Sequence, residues 1–179
     1  MVAFLVIERA LRTDASAKTL QRGSHDRGST LLIGAAFGSG LILPALARVL
    51  SIGVPFRVDP VEGFLAIAVM AIGIALRAWA VTTLGRFYTR TLLTTEEQKV
   101  ITSGPYAKIR HPGYLGDILL WSGFGVLSGS MVIAILFPVV FVAIYLYRIG
   151  VEEKMLAKTL GEDYARYQRR TRRLIPLVY

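Results

Sequence analysis

The stretch Tyr114–Ile149, YLGDILLWSGFGVLSGSMVIAILFPVVFVAIYLYRI, decides the fold. It reads as two apolar runs, Tyr114 to Ser128 and Met131 to Ile149, parted only by Ser128-Gly129-Ser130. So short a connection between runs this hydrophobic predicts a tight helical hairpin in a membrane, where a crossing helix needs ~20 apolar residues. The first arm is short for that task and is expected to tilt or to stop before a full crossing. Two further runs precede the hairpin, at about Ser29 to Leu50 and Val61 to Leu84. The expected architecture is an all-α polytopic membrane helix bundle with four spans and an amphipathic C-terminal helix. Met1 to Leu11 is too short to cross alone and reads as an interfacial helix or as part of a fifth, N-terminal span. It lacks the basic start and small-residue cleavage site of a signal peptide.

Composition agrees. Hydrophobic residues make up 54% of the 179, and only 18% are charged, below the roughly 25% usual in soluble domains. Mean hydropathy is +0.52. A net charge of +9 would also suit nucleic acid, but the basic residues fall in blocks between apolar runs, so no nucleic-acid partner is expected. Cysteine is absent and the only histidines are His25 and His111, too few for a histidine-based metal centre. One integral-membrane domain over residues 1–179 is expected.

Three basic groups set the orientation. Arg9, Arg12, Lys18, Arg22 and Arg27 precede the first span; Arg86, Arg90, Lys99, Lys108 and Arg110 follow the second; the group from Arg148 to Arg173 follows the fourth. The connection after the first span holds only Arg48 and Arg57, offset by Asp59 and Glu62. All three groups are therefore expected on the cytoplasmic side of an inner or plasma membrane.

Two long polar segments share that side. Arg86 to Pro112 far exceeds the ~2–8 residues that usually join bundle helices. Val151 to Thr171 predicts an amphipathic helix, with Leu156, Leu160, Tyr164 and Tyr167 on one stripe. Pro112 suits the first turn of a helix, which places His111 at a helix start among backbone N–H groups that favour an anion. The hairpin brings Arg110–Tyr114 beside Glu152 and Glu153. Anion donors, carboxylates and aromatic rings in one place suit a zwitterionic, cationic molecule. Gly34, Gly38 and Gly40 lack the strand of a nucleotide-binding loop and are expected to mediate helix packing. Arg77 lies inside the second span and faces a polar cavity, snorkels, or closes an ion pair.

GPYAKIRHPGYLG from Gly104, EEKML from Glu152, LGEDYARYQRR from Leu160 and RRLIP from Arg172 resemble the isoprenylcysteine carboxyl methyltransferase family. LRAWAVTTLGRFYTR and VITSGPY extend the resemblance over about Ala75 to Pro176. The resemblance implies an S-adenosylmethionine-dependent methyltransferase with its cofactor site over about residues 75–176. It implies cofactor contacts from Tyr106, Arg110, His111, Pro112, Tyr114, Gly116, Glu152 and Glu153. His111 would hold the α-carboxylate and Glu152 or Glu153 the ammonium, with Tyr106 or Tyr114 against adenine or sulfonium. An arginine, taken in the order Arg173, Arg148, Arg86, would position the acceptor. The acceptor is expected to be lipophilic, of the prenylcysteine type, or a small anion held near membrane lipid. A thiol or phospholipid methyltransferase, an NADPH-dependent membrane reductase and a non-enzymatic lipid- or partner-binding module are the competing readings; oligomeric state is left open. The orientation has a direct check: a reporter fused at Ser130 is expected to be active only outside the cytoplasm, and cytoplasmic activity would contradict this topology.

Overall fold

The computed structural model describes residues 28–50, 57–85 and 99–175. The Met1–Leu11 run, the first basic group and Arg86 lie outside these residues. Among the described residues four helices follow one another: α1 (Ser29–Val49), α2 (Pro60–Leu84), α3 (Pro112–Leu127) and α4 (Met131–Arg170), with a short 3-10 turn at Gly104–Ala107 before α3. Among the described residues the only β pairing is an isolated parallel bridge between Ile109 and Arg172.

The local signals account for the helix ends. Asp59 caps α2 by accepting from the Glu62 amide at 2.8 Å, and Glu62 reaches back to the Asp59 amide at 3.2 Å. Pro60 then occupies the first helical position, where its missing N–H costs nothing. Pro112 does the same for α3, with His111 as the capping residue. The α3–α4 turn is closed by the Ser128 hydroxyl, which donates to Gly125 O at 2.6 Å and accepts from the Ser130 amide at 3.2 Å.

α1, α2 and α4 are long and apolar enough to cross a membrane. α3 has 16 residues, about 24 Å of helix against about 30 Å of hydrocarbon, so the four expected spans resolve into three long ones and one short one. Large apolar side chains such as Ile42, Phe64, Ile67, Ile72, Ile135 and Val139 stand exposed on the outer faces of α1, α2 and α4. An outward apolar surface of that extent marks an integral membrane protein. The amphipathic C-terminal segment continues α4 directly as far as Leu160 and runs on as a further helical piece beyond Gly161. From Met131 to that break α4 measures about 45 Å, so it leaves the hydrocarbon near Ile149 and carries on as a polar extension. Gly161 interrupts that extension at φ 53°, ψ −128°, a conformation that disfavours any residue with a Cβ.

Close packing by small residues occurs at one of the expected positions and also where the sequence did not point. Among the described residues a Cβ on Gly34 or Gly38 would meet nothing within 4 Å, while Gly40 is pressed against Trp121. The tight contact is between α2 and α3: a Cβ on Gly73 would lie 2.5 Å from Gly116 O, and one on Gly123 would lie 2.6 Å from Ala66 O. The helices approach backbone to backbone, the arrangement that dispersion between small residues favours in lipid. Trp121, fully buried, centres the other side of α3, stacked on Phe141 at 4.8 Å and met edge-on by Phe37 of α1 at 5.1 Å.

The close α2–α3 contact places Arg77 against Asp117. Their side chains form a salt bridge, 12% and 1% exposed, and Tyr145 of α4 donates its hydroxyl to the same Asp117 oxygen. Arg77 also reaches Gly113 O at 3.4 Å. Of the readings open for Arg77, the internal ion pair is the one realised. Replacing Arg77 by Leu should destabilise the protein by roughly 3–5 kcal/mol, because a buried carboxylate loses its counter-charge, whereas Arg77→Leu with Asp117→Leu should recover most of that loss. Reversible unfolding in detergent micelles measures both; equal damage in the single and double variants would contradict the pairing.

Candidate functional site

The segment ahead of α3 is held between two ends of the fold. Gly104 takes φ 57° where the chain turns against Trp79 and Thr83 of α2. The 3-10 turn then carries Tyr106 inward, and its carbonyl accepts the Tyr167 hydroxyl at 2.8 Å. Residues beyond α4 pair with the next stretch: the Arg110 amide donates to Arg172 O at 2.7 Å, the His111 amide to Arg173 O at 3.0 Å, and the Arg172 amide to Lys108 O at 3.1 Å. This pairing gives Arg172 and Arg173 a physical role: they are the strand-like partner of Lys108–His111.

Glu153 sits where these pieces meet, buried in the polar extension of α4. One of its oxygens accepts from Arg110 Nε at 2.7 Å and lies 3.2 Å from His111 Nε2. The other accepts from Arg173 Nε at 3.1 Å and Gln168 Nε2 at 3.5 Å. Burial alone would raise this carboxyl, but the hydrogen bonds and charges of His111 and Arg110 outweigh it and bring it down from 4.5 to about 2. Arg110 completes its fork on main-chain carbonyls, donating from Nη1 to Gln168 O at 3.2 Å and Thr171 O at 2.5 Å.

Glu152 differs from its neighbour. Its side chain is 23% exposed and one oxygen accepts the Tyr114 hydroxyl, 4.0 Å from His111 Nδ1. The Tyr114 ring stacks with His111 at 5.4 Å and with Tyr145 at 4.8 Å.

Several expected residues thus come together and others do not. Arg110, His111, Tyr114, Glu152 and Glu153 form one cluster, with Tyr106 behind it and Arg173 at its edge. Pro112 is buried at the start of α3. Gly116 points away, into the α2 contact, because a Cβ there would strike Gly73 O at 2.6 Å. Arg148 is 2% exposed and turned inward, donating to Tyr114 Oη at 3.2 Å, Ser29 Oγ at 2.6 Å and Thr30 Oγ1 at 2.9 Å. Arg173 keeps a 39% exposed side chain. The helix start is also less open to an anion than expected: Pro112 has no N–H, and the Tyr114 and Leu115 amides are taken by His111 O at 3.1 and 3.2 Å. Within that first turn, only the Gly113 amide lies outside this pattern. Asp117, Tyr145, Gln168 and Thr171 carry the cluster without having been singled out from the sequence. A buried acid one helical turn beyond the Pro-Gly-Tyr start was the available signal for Asp117.

Helical spans joined by a buried polar cluster at one end define an integral-membrane protein with its site at the edge of the apolar region. The isoprenylcysteine carboxyl methyltransferase (ICMT) family model matches residues 65–158, just over half of the chain. The protein-S-isoprenylcysteine O-methyltransferase of Schizosaccharomyces pombe is 29% identical over 115 residues, covering 63% of this chain and 49% of that protein. Protein-S-isoprenylcysteine O-methyltransferase B of Arabidopsis thaliana is 34% identical over 115 residues, covering 63% and 58%. The cobalt-zinc-cadmium resistance protein CzcN of Cupriavidus metallidurans is 30% identical over 95 residues, covering 52% and 44%. The solved structure of the eukaryotic intramembrane Ras methyltransferase ICMT superposes with a TM-score of 0.68 at 18% identity, covering 98% of this chain and 62% of that one; at that identity it speaks for the fold. The chain belongs to the isoprenylcysteine carboxyl methyltransferase family. It spans about half to three-fifths of the length of these methyltransferase relatives.

Glu153 carries a pH signature that can be measured. Its folded pKa lies below its unfolded value, so its contribution to stability is complete above pH 4.5 and is lost as pH falls through about 2. The stability gap between wild type and Glu153→Gln is therefore expected to be level from pH 7 to about 5 and to close in stronger acid. Thermal unfolding in micelles across that range reads the gap; a gap that closes near neutrality would contradict the assignment.

Proposed function

We propose that this protein transfers a methyl group from S-adenosylmethionine to a lipophilic carboxylate of the prenylcysteine type at the cytoplasmic face of the membrane. The observation that carries this reading is the meeting of the Arg110–Tyr114 segment with Glu152 and Glu153, in a chain of this family. S-adenosylmethionine supplies an electrophilic methyl on a positively charged sulfur. Bound there, it would supply that methyl to an acceptor carboxylate, chemistry in which no side chain of this protein has to remove a proton.

The residues fit such a donor. Glu152 has an oxygen beyond the one bound to Tyr114 and is the more accessible acid of the pair, which suits it to the α-ammonium. Glu153 is matched to Arg110, His111, Arg173 and Gln168, so its role is to fix the cluster rather than to take the ammonium. His111 faces the two acids and serves the same frame. With its ring turned there, the Gly113 amide and Arg173 become the donors for an anion. Arg173 is the arginine we assign to orient an acceptor carboxylate, because its side chain is 39% exposed where Arg148 is 2% exposed and turned inward. The rate gain required of the protein comes from alignment and exclusion of water. Positioning the acceptor from the lipid side is consistent with a site that caps apolar helices.

Glu152→Gln is expected to weaken S-adenosylmethionine binding by about tenfold or more, the loss of a charge-assisted hydrogen bond, while leaving the unfolding midpoint near wild type. Isothermal titration of detergent-solubilised protein measures this, and unchanged affinity would contradict the cofactor assignment. A methyl-transfer assay across a farnesylated cysteine, a short thiol and phosphatidylethanolamine tests the acceptor; the farnesylated cysteine is expected to be methylated and the other two left largely unmodified.

A further inference from the structure

The polar extension of α4 ends in two tyrosines of unlike status. Tyr167 is buried and its hydroxyl is used, donating to Tyr106 O at 2.8 Å. Tyr164 is more deeply buried, 3% exposed, yet its hydroxyl has no hydrogen-bond partner among the described residues. A buried phenol normally finds a partner, because leaving the group unsatisfied costs the desolvation of its oxygen. The apolar alternative, phenylalanine, would avoid that cost.

The position of this hydroxyl is unusual as well. The break at Gly161 falls three residues earlier, and beyond it Gln168 and Thr171 meet Arg110 while Tyr167 reaches Tyr106. Tyr164 lies on the same inward stripe, its ring 6.0 Å from that of Tyr167. Its surroundings are charged: Glu153, Glu152 and Arg110 are the ions that act on it, and burial together with the two acids raises its pKa well above the usual phenol range, so it stays protonated. Tyr164 stands one helical turn before Gln168, whose Nε2 meets Glu153 at 3.5 Å, so the phenol is carried on the face turned to the acid pair while its hydroxyl bonds to neither acid.

We propose that Tyr164 is a further ligand-contacting residue, whose hydroxyl oxygen accepts a hydrogen bond from the ammonium group of the methyl donor bound at Glu152. This rests on the S-adenosylmethionine reading above. An ammonium has three N–H donors to place. Glu152 takes one, and a neutral phenol oxygen beside two carboxylates is a suitable acceptor for another. The contact makes Tyr164 a determinant of specificity for a donor that carries an amine, rather than for an adenine nucleoside alone.

The test uses two non-reacting ligands, S-adenosylhomocysteine and its desamino analogue, titrated into full-length wild-type protein and Tyr164→Phe. The substitution removes one oxygen and keeps the ring that packs. Tyr164→Phe is expected to lose about tenfold in affinity for S-adenosylhomocysteine and nothing for the desamino analogue. No loss, or an equal loss on both ligands, would assign Tyr164 to packing and overturn the proposal. Failure of the wild-type protein to bind S-adenosylhomocysteine at all would instead remove the underlying cofactor reading, and it is visible before any variant is examined.

Discussion

Glu153 draws donors from well-separated places in the chain: Arg110 and His111 ahead of α3, Gln168 at the end of α4, and Arg173 beyond it. A buried carboxylate has to be matched in this way or it does not remain ionised. Meeting that requirement fixes the register between the loop before α3 and the segment after α4, and the bridge from Ile109 to Arg172 follows from it. The same contacts turn the His111 ring against Tyr114 and leave Glu152, one residue earlier, as the acid with an oxygen to offer. The two adjacent glutamates therefore differ: Glu153 holds the frame, and Glu152 is the one we propose to meet the ligand.

Below this frame a second polar assembly reaches into the helices. Arg77 and Asp117 neutralise each other, and Tyr145 donates to Asp117 and stacks on Tyr114. The stack His111, Tyr114, Tyr145 thus joins the site to the ion pair. Glycines make this geometry available, since Gly73 and Gly116 let α2 and α3 approach closely enough for Arg77 to reach Asp117. Arg148 ties the start of α1 to the same stack through Ser29 and Thr30. The first helix, generic by its sequence, is anchored to the site by that arginine.

Much of this was legible from residues alone, for identifiable reasons. Hydropathy and a three-residue connection are enough to define the α3–α4 hairpin, and a hairpin makes its two ends neighbours, which brings Arg110–Tyr114 to Glu152 and Glu153. What was not legible depends on pairings between distant positions. Gly34 and Gly38 have the spacing of a packing motif but meet none of the described residues, while Gly73 and Gly116 become meaningful only opposite each other. Arg148 looks like any basic residue at a membrane boundary until Ser29 and Thr30 are seen beside it. Tyr164 belongs to a stripe that is apolar by count, and its unmatched hydroxyl emerges only once its neighbours are known.

Family membership and this geometry lead to one account, in which the junction of the α3 start with the polar end of α4 receives the methyl donor. The most direct measurement is ultraviolet photo-crosslinking of methyl-labelled S-adenosylmethionine to the solubilised full-length protein, followed by peptide mapping. The account predicts label confined to peptides that contain residues 104–116 or 152–173, and competed away by S-adenosylhomocysteine. Specific label confined to the α1 or α2 peptides, or no competable label, would contradict it.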